Sequence, residues 1–259
     1  MKHRILIKIG GRAFEGESGF KDLSIAIKSN PDIEVIIVHG GGAEISQALK
    51  RHNRETLFID GIRVTQIEDI KIVEDVLSGT INERISGWLS QNGITCRRMS
   101  GKTEHLFVVE PLTRGRRNFG YVGEIKQVNP EVVLKALKKG QVPIISPISA
   151  NKKGESYNVN ADSAAGALAA GARCSALVYI TDVSGVLKEE TLCRTLTVKQ
   201  AKALIADGTI KGGMVAKIES VFWALEQKVP RVYILQWQGP ETLLDIIKGE
   251  WKTGTMIQR

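Results

Sequence analysis

The chain is poor in the residues that build metal centres and disulfide frameworks. Its three cysteines, Cys96, Cys174 and Cys193, are odd in number, widely spaced and outside any paired motif, which excludes a disulfide scaffold and a cysteine-held zinc site. The four histidines, His3, His39, His52 and His105, show no ligand spacing either. No apolar run is long enough to cross a bilayer, and the first residues read as a strand rather than a signal peptide, so a soluble cytoplasmic protein is expected. Aromatic and basic residues do not interleave as they do in single-strand binders. The formal net charge of +8 is spread along the chain, apart from one knot at Arg114, Arg116 and Arg117. It therefore reads as suited to small anionic molecules rather than to nucleic acid.

Two phosphate-binding signatures are also missing. "SGKT" at 100–103 imitates the end of a P-loop, but the first glycine that motif requires falls at Cys96. No G-x-G-x-x-G opens the first helix. A nucleotide site in this chain needs another design.

What the chain does have is glycine at the ends of apolar runs. "RILIKIGG" (4–11) and "EVIIVHGGG" (34–42) read as buried strands, and residues 21–29 and "AEISQALKRHN" (43–53) as helices. A helical stripe through Ile70, Val73, Val76 and Leu77 follows, with a break or a close approach expected at Gly79. Short strands and hairpins between Thr95 and Lys126 look like inserted decoration. A helix at 130–140 has Pro130 near its start and Gly140 past its end, and "QVPIISPI" (141–148) is a strand. After "NVNAD" and a small-residue helix, alternation resumes: a strand and loop over 176–185, helices 197–208 and 212–229, strand 231–235 and helix 240–250. Strands alternating with helices imply a mostly parallel sheet covered on both faces, with a lobe boundary near Ala172.

Ligands of such sheets bind beyond the carboxyl ends of the strands. Glycine lets backbone N–H groups approach a ligand, and a following helix adds a partial positive charge. Gly40, Gly41 and Gly42 are thus an anion cradle or a tight turn. Lys8 stands inside an apolar strand, an unfavourable place unless it meets an anion. Asn158, Asn160 and Asp162 would share one face if "NVNAD" were extended. Lys217 lies on the helix opened by Gly212 and Gly213. Taken singly, each has a plain alternative: an exposed lysine, a helix-capping aspartate, a solvated helix face.

Taken in order, "KIGG", "HGGG", "GIRVT" (61–65), "NVNAD" (158–162), "TDVSGV" (181–186) and "GGMVAK" (212–217) resemble the amino acid kinase family over nearly the whole chain. Within it the likeness is greatest to members that phosphorylate N-acetyl-L-glutamate. The resemblance implies an open three-layer αβα sandwich of about eight mostly parallel strands in two lobes. Residues 1–172 would bind the acyl substrate and dimerise, and 173–259 would bind ATP. It implies that Lys8 and Lys217 meet the transferred phosphoryl group and that Asp162 orients them. Gly41, Gly42, Arg63, Asn158 and Asn160 would hold the acyl substrate. Gly10, Gly11, Thr181, Asp182, Val183, Ser184, Gly185 and Val186 would hold the nucleotide. Thr209, Ile210, Lys211, Gly212, Gly213 and Met214 would complete that cradle, with Mg²⁺ held mainly by the ATP phosphates rather than by protein ligands.

The implied chemistry suits these residue types. A side-chain carboxylate with a pKa of about 4.3 is ionised at neutral pH and needs no general base. Bringing two anions together needs positive charge and N–H dipoles instead. Where relatives show S-G-x-D-G this chain reads "SGKTEH", and "YILQWQGPE" lacks an acidic residue before its glycine. Arginine-inhibited members carry an extra N-terminal helix that builds a hexamer. With seven residues ahead of Lys8, a homodimer insensitive to arginine is the expectation. Rival readings are a kinase of the same fold with another acceptor, an RNA-binding hairpin at 113–123, or a non-enzymatic sensor. The sensor's expected mark, loss of Lys8, Asp162 or Lys217, is not seen.

Overall fold

The computed structural model describes residues 3–10, 14 and 16–259. The N-terminal run forms β1 (His3–Ile9), followed by α1 (Glu17–Lys28), β2 (Ile33–His39) and α2 (Gly42–Arg51). A hairpin of β3 (Phe58–Ile59) and β4 (Ile62–Arg63) precedes α3 (Ile67–Glu74), which continues through a π-helical stretch, Asp75–Ile81, into α4 (Asn82–Gln91). Next come β5 (Cys96–Ser100), β6 (Phe107–Arg114), β7 (Arg117–Val128), α5 (Glu131–Lys138), β8 (Val142–Ser146), β9 (Ile148–Ala150) and β10 (Ser156–Asn158). The remainder is α6 (Ala161–Gly171), β11 (Ala176–Ile180), the hairpin β12 (Leu187–Lys188) and β13 (Thr191–Leu192), then β14 (Thr195–Thr197), α7 (Val198–Ala206), α8 (Gly213–Glu226), β15 (Val232–Leu235), α9 (Glu241–Lys248) and β16 (Thr255–Gln258).

Eight strands make one sheet in the order β14-β16-β15-β11-β1-β2-β8-β5. Every neighbouring pair from β15 to β5 is parallel. β16 runs against β15, and β14 lies parallel to β16. The central strands read as continuous apolar runs because both faces are covered. Phe20, Leu23, Leu49, Ile85, Leu89 and Leu243 cover one face from α1, α2, α4 and α9. Val133, Ala165, Leu168, Leu204, Ile218 and Val221 cover the other from α5, α6, α7 and α8. This is the αβα sandwich expected from the sequence. The sheet is continuous across Ala172, since β1 pairs with β2 on one side and β11 on the other.

Several elements depart from the sequence-based reading. The first helix begins at Glu17 rather than residue 21. Gly19 lies inside it as a packing requirement, because a Cβ there would meet Phe14 Cδ1 at 2.7 Å. Gly79 neither breaks the helix nor makes a close approach: the π-helical stretch absorbs it, and a Cβ there would meet open space. The segment 96–100 is not decoration but the edge strand of the main sheet, and its polar residues reflect one-sided burial. The run 141–148 is divided by Pro147, which lacks a ladder N–H: β8 stays in the main sheet, while β9 joins β6, β7 and β10 in a small closed ring. Within "NVNAD" the strand ends at Asn158. Asn160 then caps α6, its side chain accepting from the N–H groups of Asp162 and Ser163, so Asp162 lies in the first helical turn.

Candidate active site

Alternation along β1 sends Ile5, Ile7 and Ile9 to one face of the sheet and Leu6 to the other. Lys8 follows Leu6 by two residues and shares its face. Lys8 is 8% exposed, and its Nζ lies 2.8 Å from Asp162 Oδ1. The other oxygen of that carboxylate accepts from Lys217 Nζ at 2.9 Å. Lys217 enters from α8, whose N-cap Gly212 has φ 59°. Burial alone would push the Asp162 carboxyl up. The two ammonium groups outweigh it and hold the pKa at about 2. Burial pulls the Lys217 ammonium below its usual range, the negative charge of Asp162 opposes that, and Lys8 adds to it.

Gly40 and Gly41 link β2 to α2. Gly41 must be bare: a Cβ there would lie 2.2 Å from Ile81 Cδ1 and 2.9 Å from Leu77 Cδ2 of the π-helical stretch. His39 is fully buried, and burial lowers its pKa to about 4. A carbonyl can only accept, so His39 Nδ1 carries the proton it donates to the Gly40 carbonyl at 3.0 Å. Its Nε2 accepts from Asn82 Nδ2 at 3.2 Å. The imidazole is therefore neutral, and it orients the Gly40–Gly41 peptide.

Arg63 comes from the β3–β4 hairpin, turned at Asp60 (φ 49°) and Gly61 (φ 76°). Its guanidinium donates to the Gly42 carbonyl at 2.7 Å, Ser46 Oγ at 2.9 Å and Thr56 Oγ1 at 3.3 Å, and it stacks on Phe58. These partners are all neutral, which leaves its charge available to a carboxylate. Asn158 donates to Thr65 Oγ1. At the next hairpin, Thr65 bridges to Gly120, where a Cβ would strike the Thr65 carbonyl oxygen at 2.2 Å. Arg117 at that hairpin's tip pairs with Asp60.

Lys8, Gly41, Gly42, Arg63, Asn158, Asn160 and Asp162 line one cavity of about 210 Å³, with apolar walls from Ile45, Leu77, Val122 and Pro147. The expected acyl-substrate residues are thus brought together. The expected nucleotide residues are only partly so. Gly10 borders a different cavity, with Phe14, Phe20 and His39, and Gly11 lies outside the described residues. Thr181 donates to the Asp182 carboxylate, which is close enough to Lys217 to act on its charge. Val183 and Ser184 are exposed. Val186 and Ile210 send their side chains into the core, with Met214 packed against it, so the first two offer a ligand only backbone. Gly185 is pressed against Thr255. Thr209 donates its N–H to Asp207, Lys211 is exposed, and Gly212 and Gly213 leave open space at the α8 N-terminus.

"SGKT" is a tight turn after β5. Lys102 Nζ is bound by Glu74 at 2.9 Å and Ser156 at 3.0 Å rather than free for phosphate. His39, Asn82 and Tyr179 were missed by sequence reasoning. The signal for His39 was polarity at the end of an apolar run; Asn82, with Thr80 and Ile81 before it and Glu83 and Arg84 after it, carried no such signal, and Tyr179 looks like an ordinary strand aromatic.

Two lysines on one buried carboxylate, a run of glycines and an arginine-lined cavity meet at the carboxyl end of a parallel sheet, where ligands of such sheets bind. The chain belongs to the amino acid kinase family, whose sequence model matches residues 3–236. It is 37% identical to the acetylglutamate kinase of Methylobacterium nodulans, over 98% of this chain and 88% of that one. It is 36% identical to the acetylglutamate kinase of Geobacillus stearothermophilus, over 100% of this chain and 98% of that one. Among solved structures, smu.665 from Streptococcus mutans UA159 aligns with a TM-score of 0.85 at 29% identity, over 100% of this chain and 99% of that one.

Proposed function

We propose that the protein transfers the γ-phosphoryl group of ATP to the γ-carboxylate of N-acetyl-L-glutamate, the step that activates this carboxylate in arginine biosynthesis. The observation that carries the reading is the Lys8–Asp162–Lys217 bridge, of which Lys8 and Asp162 line the Arg63 cavity. At about 210 Å³ that cavity falls below the ~300–1,000 Å³ that drug-sized ligands occupy, so it suits an amino-acid-sized acceptor rather than a nucleotide. Its apolar walls suit an acetyl group, and Arg63 suits the α-carboxylate by its planar fork.

In this reading residues 1–172 bind the acyl acceptor and 173–259 the nucleotide. The acceptor carboxylate is already ionised, so the protein supplies position and charge rather than a base. Lys8 and Lys217 face the phosphoryl oxygens, and Asp162 sets their spacing. The Gly41 and Gly42 backbone meets the acceptor and the group in transit. The open α8 N-terminus at Gly212 and Gly213 favours the nucleotide's phosphates. Among the described residues no cluster of three or more His, Cys, Asp or Glu is arranged around a cation, and Asp162 is engaged by two lysines. Such a site fits a magnesium ion carried on the phosphate oxygens of ATP, where it neutralises charge. Among the described residues no helix is long and apolar enough to cross a membrane; a cytoplasmic homodimer belongs to the same reading, and light scattering checks the dimer.

The test is ATP-dependent acyl-phosphate formation, trapped as hydroxamate, with N-acetylglutamate beside glutamate and N-acetylaminoadipate, and ADP release with UMP. Preference for N-acetylglutamate is expected. Preference for another acceptor would retain the phosphotransfer and replace the substrate; no turnover with any would overturn the reading.

A further inference from the structure

Tyr179 is a buried side chain that touches two members of the lysine–carboxylate bridge at once. Alternation along β11 places Leu177 and Tyr179 toward α6 and α8, and Val178 and Ile180 toward the opposite layer. Tyr179 is 0% exposed. It is the register partner of Lys8 on the adjacent strand, so the two side chains rise side by side from the sheet. The Lys217 Nζ lies 5.1 Å from the centre of the Tyr179 ring, over its face. The phenol hydroxyl donates to the backbone carbonyl of Asp162 at 3.1 Å.

These contacts have different physical consequences. The negative ring face attracts an ammonium, most strongly where water is excluded. The hydroxyl contact ties the first turn of α6 to the sheet and so sets the height of Asp162 above it. We propose that Tyr179 is a positioning residue for phosphoryl transfer: its ring carries the Lys217 ammonium and its hydroxyl fixes Asp162, so one side chain sets the geometry of both. The proposal rests on the phosphotransfer reading for its kinetic consequences, but its electrostatic consequence is independent of turnover.

The charged groups acting on Lys217 are Asp162 from α6, Lys8 from β1 and Asp182 from the loop after β11. From α7, Lys202 faces Phe222, farther along α8; on β15, Tyr233 faces the opposite layer. Burial, with the nearby charge of Asp162, keeps the Tyr179 phenol neutral well above its usual range. Losing the ring removes an attraction felt only by charged Lys217, so the ammonium gives up its proton at lower pH.

The experiment compares Tyr179→Leu and Tyr179→Phe in the full chain, after thermal unfolding shows both folded. Lysine Cε resonances are titrated by carbon-13 NMR, with Lys217 assigned by its loss in Lys217→Ala. In Tyr179→Leu the Lys217 midpoint should fall by about one pH unit, while Tyr179→Phe, which retains a ring, should leave it in place. In the hydroxamate assay Tyr179→Leu should lower kcat about 10- to 100-fold with both KM values within about twofold, and the basic limb of its kcat–pH profile should move down with Lys217. Tyr179→Phe should lower kcat a few-fold without moving the limb. In a Lys217→Ala background Tyr179→Leu should add little, because the group it acts through is gone. An unmoved Lys217 midpoint in Tyr179→Leu, or full additivity with Lys217→Ala, would overturn the proposal. An inactive parent protein whose Lys217 midpoint still falls in Tyr179→Leu would instead remove the phosphotransfer reading and leave the role of Tyr179 in holding Lys217 standing. Should Tyr179→Leu not fold, Tyr179→Phe decides: unchanged kcat there removes the hydroxyl's role, and a displaced Lys217 midpoint removes the ring's.

Discussion

Gly41 and Ile81 lie so close that a methyl group on the glycine would sit 2.2 Å from Cδ1 of the isoleucine. The π-helical stretch is pressed against the Gly40–Gly41 link, and this contact limits where that backbone can stand. The Gly41 φ of 176° is extended backbone open to any residue, so the demand for glycine is one of packing rather than of backbone strain.

Gly41→Ala should therefore destabilise the protein by about 1–3 kcal/mol through overpacking and lower kcat by moving the cradle. Ile81→Val removes the offending Cδ1 and should restore part of the stability. Denaturant midpoints of the single and double variants check this; strictly additive losses would contradict it.

Lys8→Ala and Lys217→Ala should each lower kcat by about 10²–10³-fold, the scale for removing one preorganised donor from a developing charge. Circular dichroism should be unchanged. Asp162→Asn should lower kcat too, since it leaves two buried ammonium groups without their counter-charge. Near-normal turnover in either lysine variant would remove the assigned role.

Arg63→Lys should raise the KM for the acyl acceptor about 10- to 100-fold, the worth of a charge-assisted contact to a carboxylate. The KM for ATP should stay within about twofold. Lysine is not equivalent here, because the Arg63 fork reaches Gly42, Ser46 and Thr56 together. An effect confined to ATP would contradict the placement.

His39 should make the protein sensitive to mild acid. Its ordinary pKa of 6.5 falls to about 4 in the fold, so between these values the unfolded chain binds a proton that the folded chain refuses. Stability should be full above about pH 6.5 and decline as pH falls toward 4, by a total on the order of 3 kcal/mol. Asp162 acts lower: with its pKa held at about 2 against 3.8, its contribution is lost only as pH drops through that range. Denaturation midpoints from pH 7 to 4 should show a flatter slope in His39→Asn, which retains a donor for the Gly40 carbonyl.

Much of this molecule was legible in local patterns. β1 and β2 announced themselves as apolar runs, and α5 by its Pro130 and Gly140 boundaries. Misreadings came where tertiary demands override local ones. Gly79 looked like a break or a close approach, yet it lies in a π-helical stretch. Residues 96–100 looked peripheral because an edge strand tolerates polar side chains on its open side. "NVNAD" suggested one extended face, but the capping side chain of Asn160 turns the chain into α6 before Asp162.

Residue type and order along the chain were enough to imply a mostly parallel sheet covered on both faces and to single out Lys8, Asp162 and Lys217, since apolar runs, helix periodicity and glycine placement are legible locally; the site roles followed from the family resemblance. Which groups meet was settled by the crossover connections. Parallel pairing of β2, β1 and β11 gathers strand ends and helix starts at one edge of the sheet. There Asp162 reaches Lys8 and Lys217 at once, and Tyr179 comes to lie beneath Lys217. Local patterning holds no record of that convergence, because it arises from hydrogen-bonded register between segments far apart in the chain.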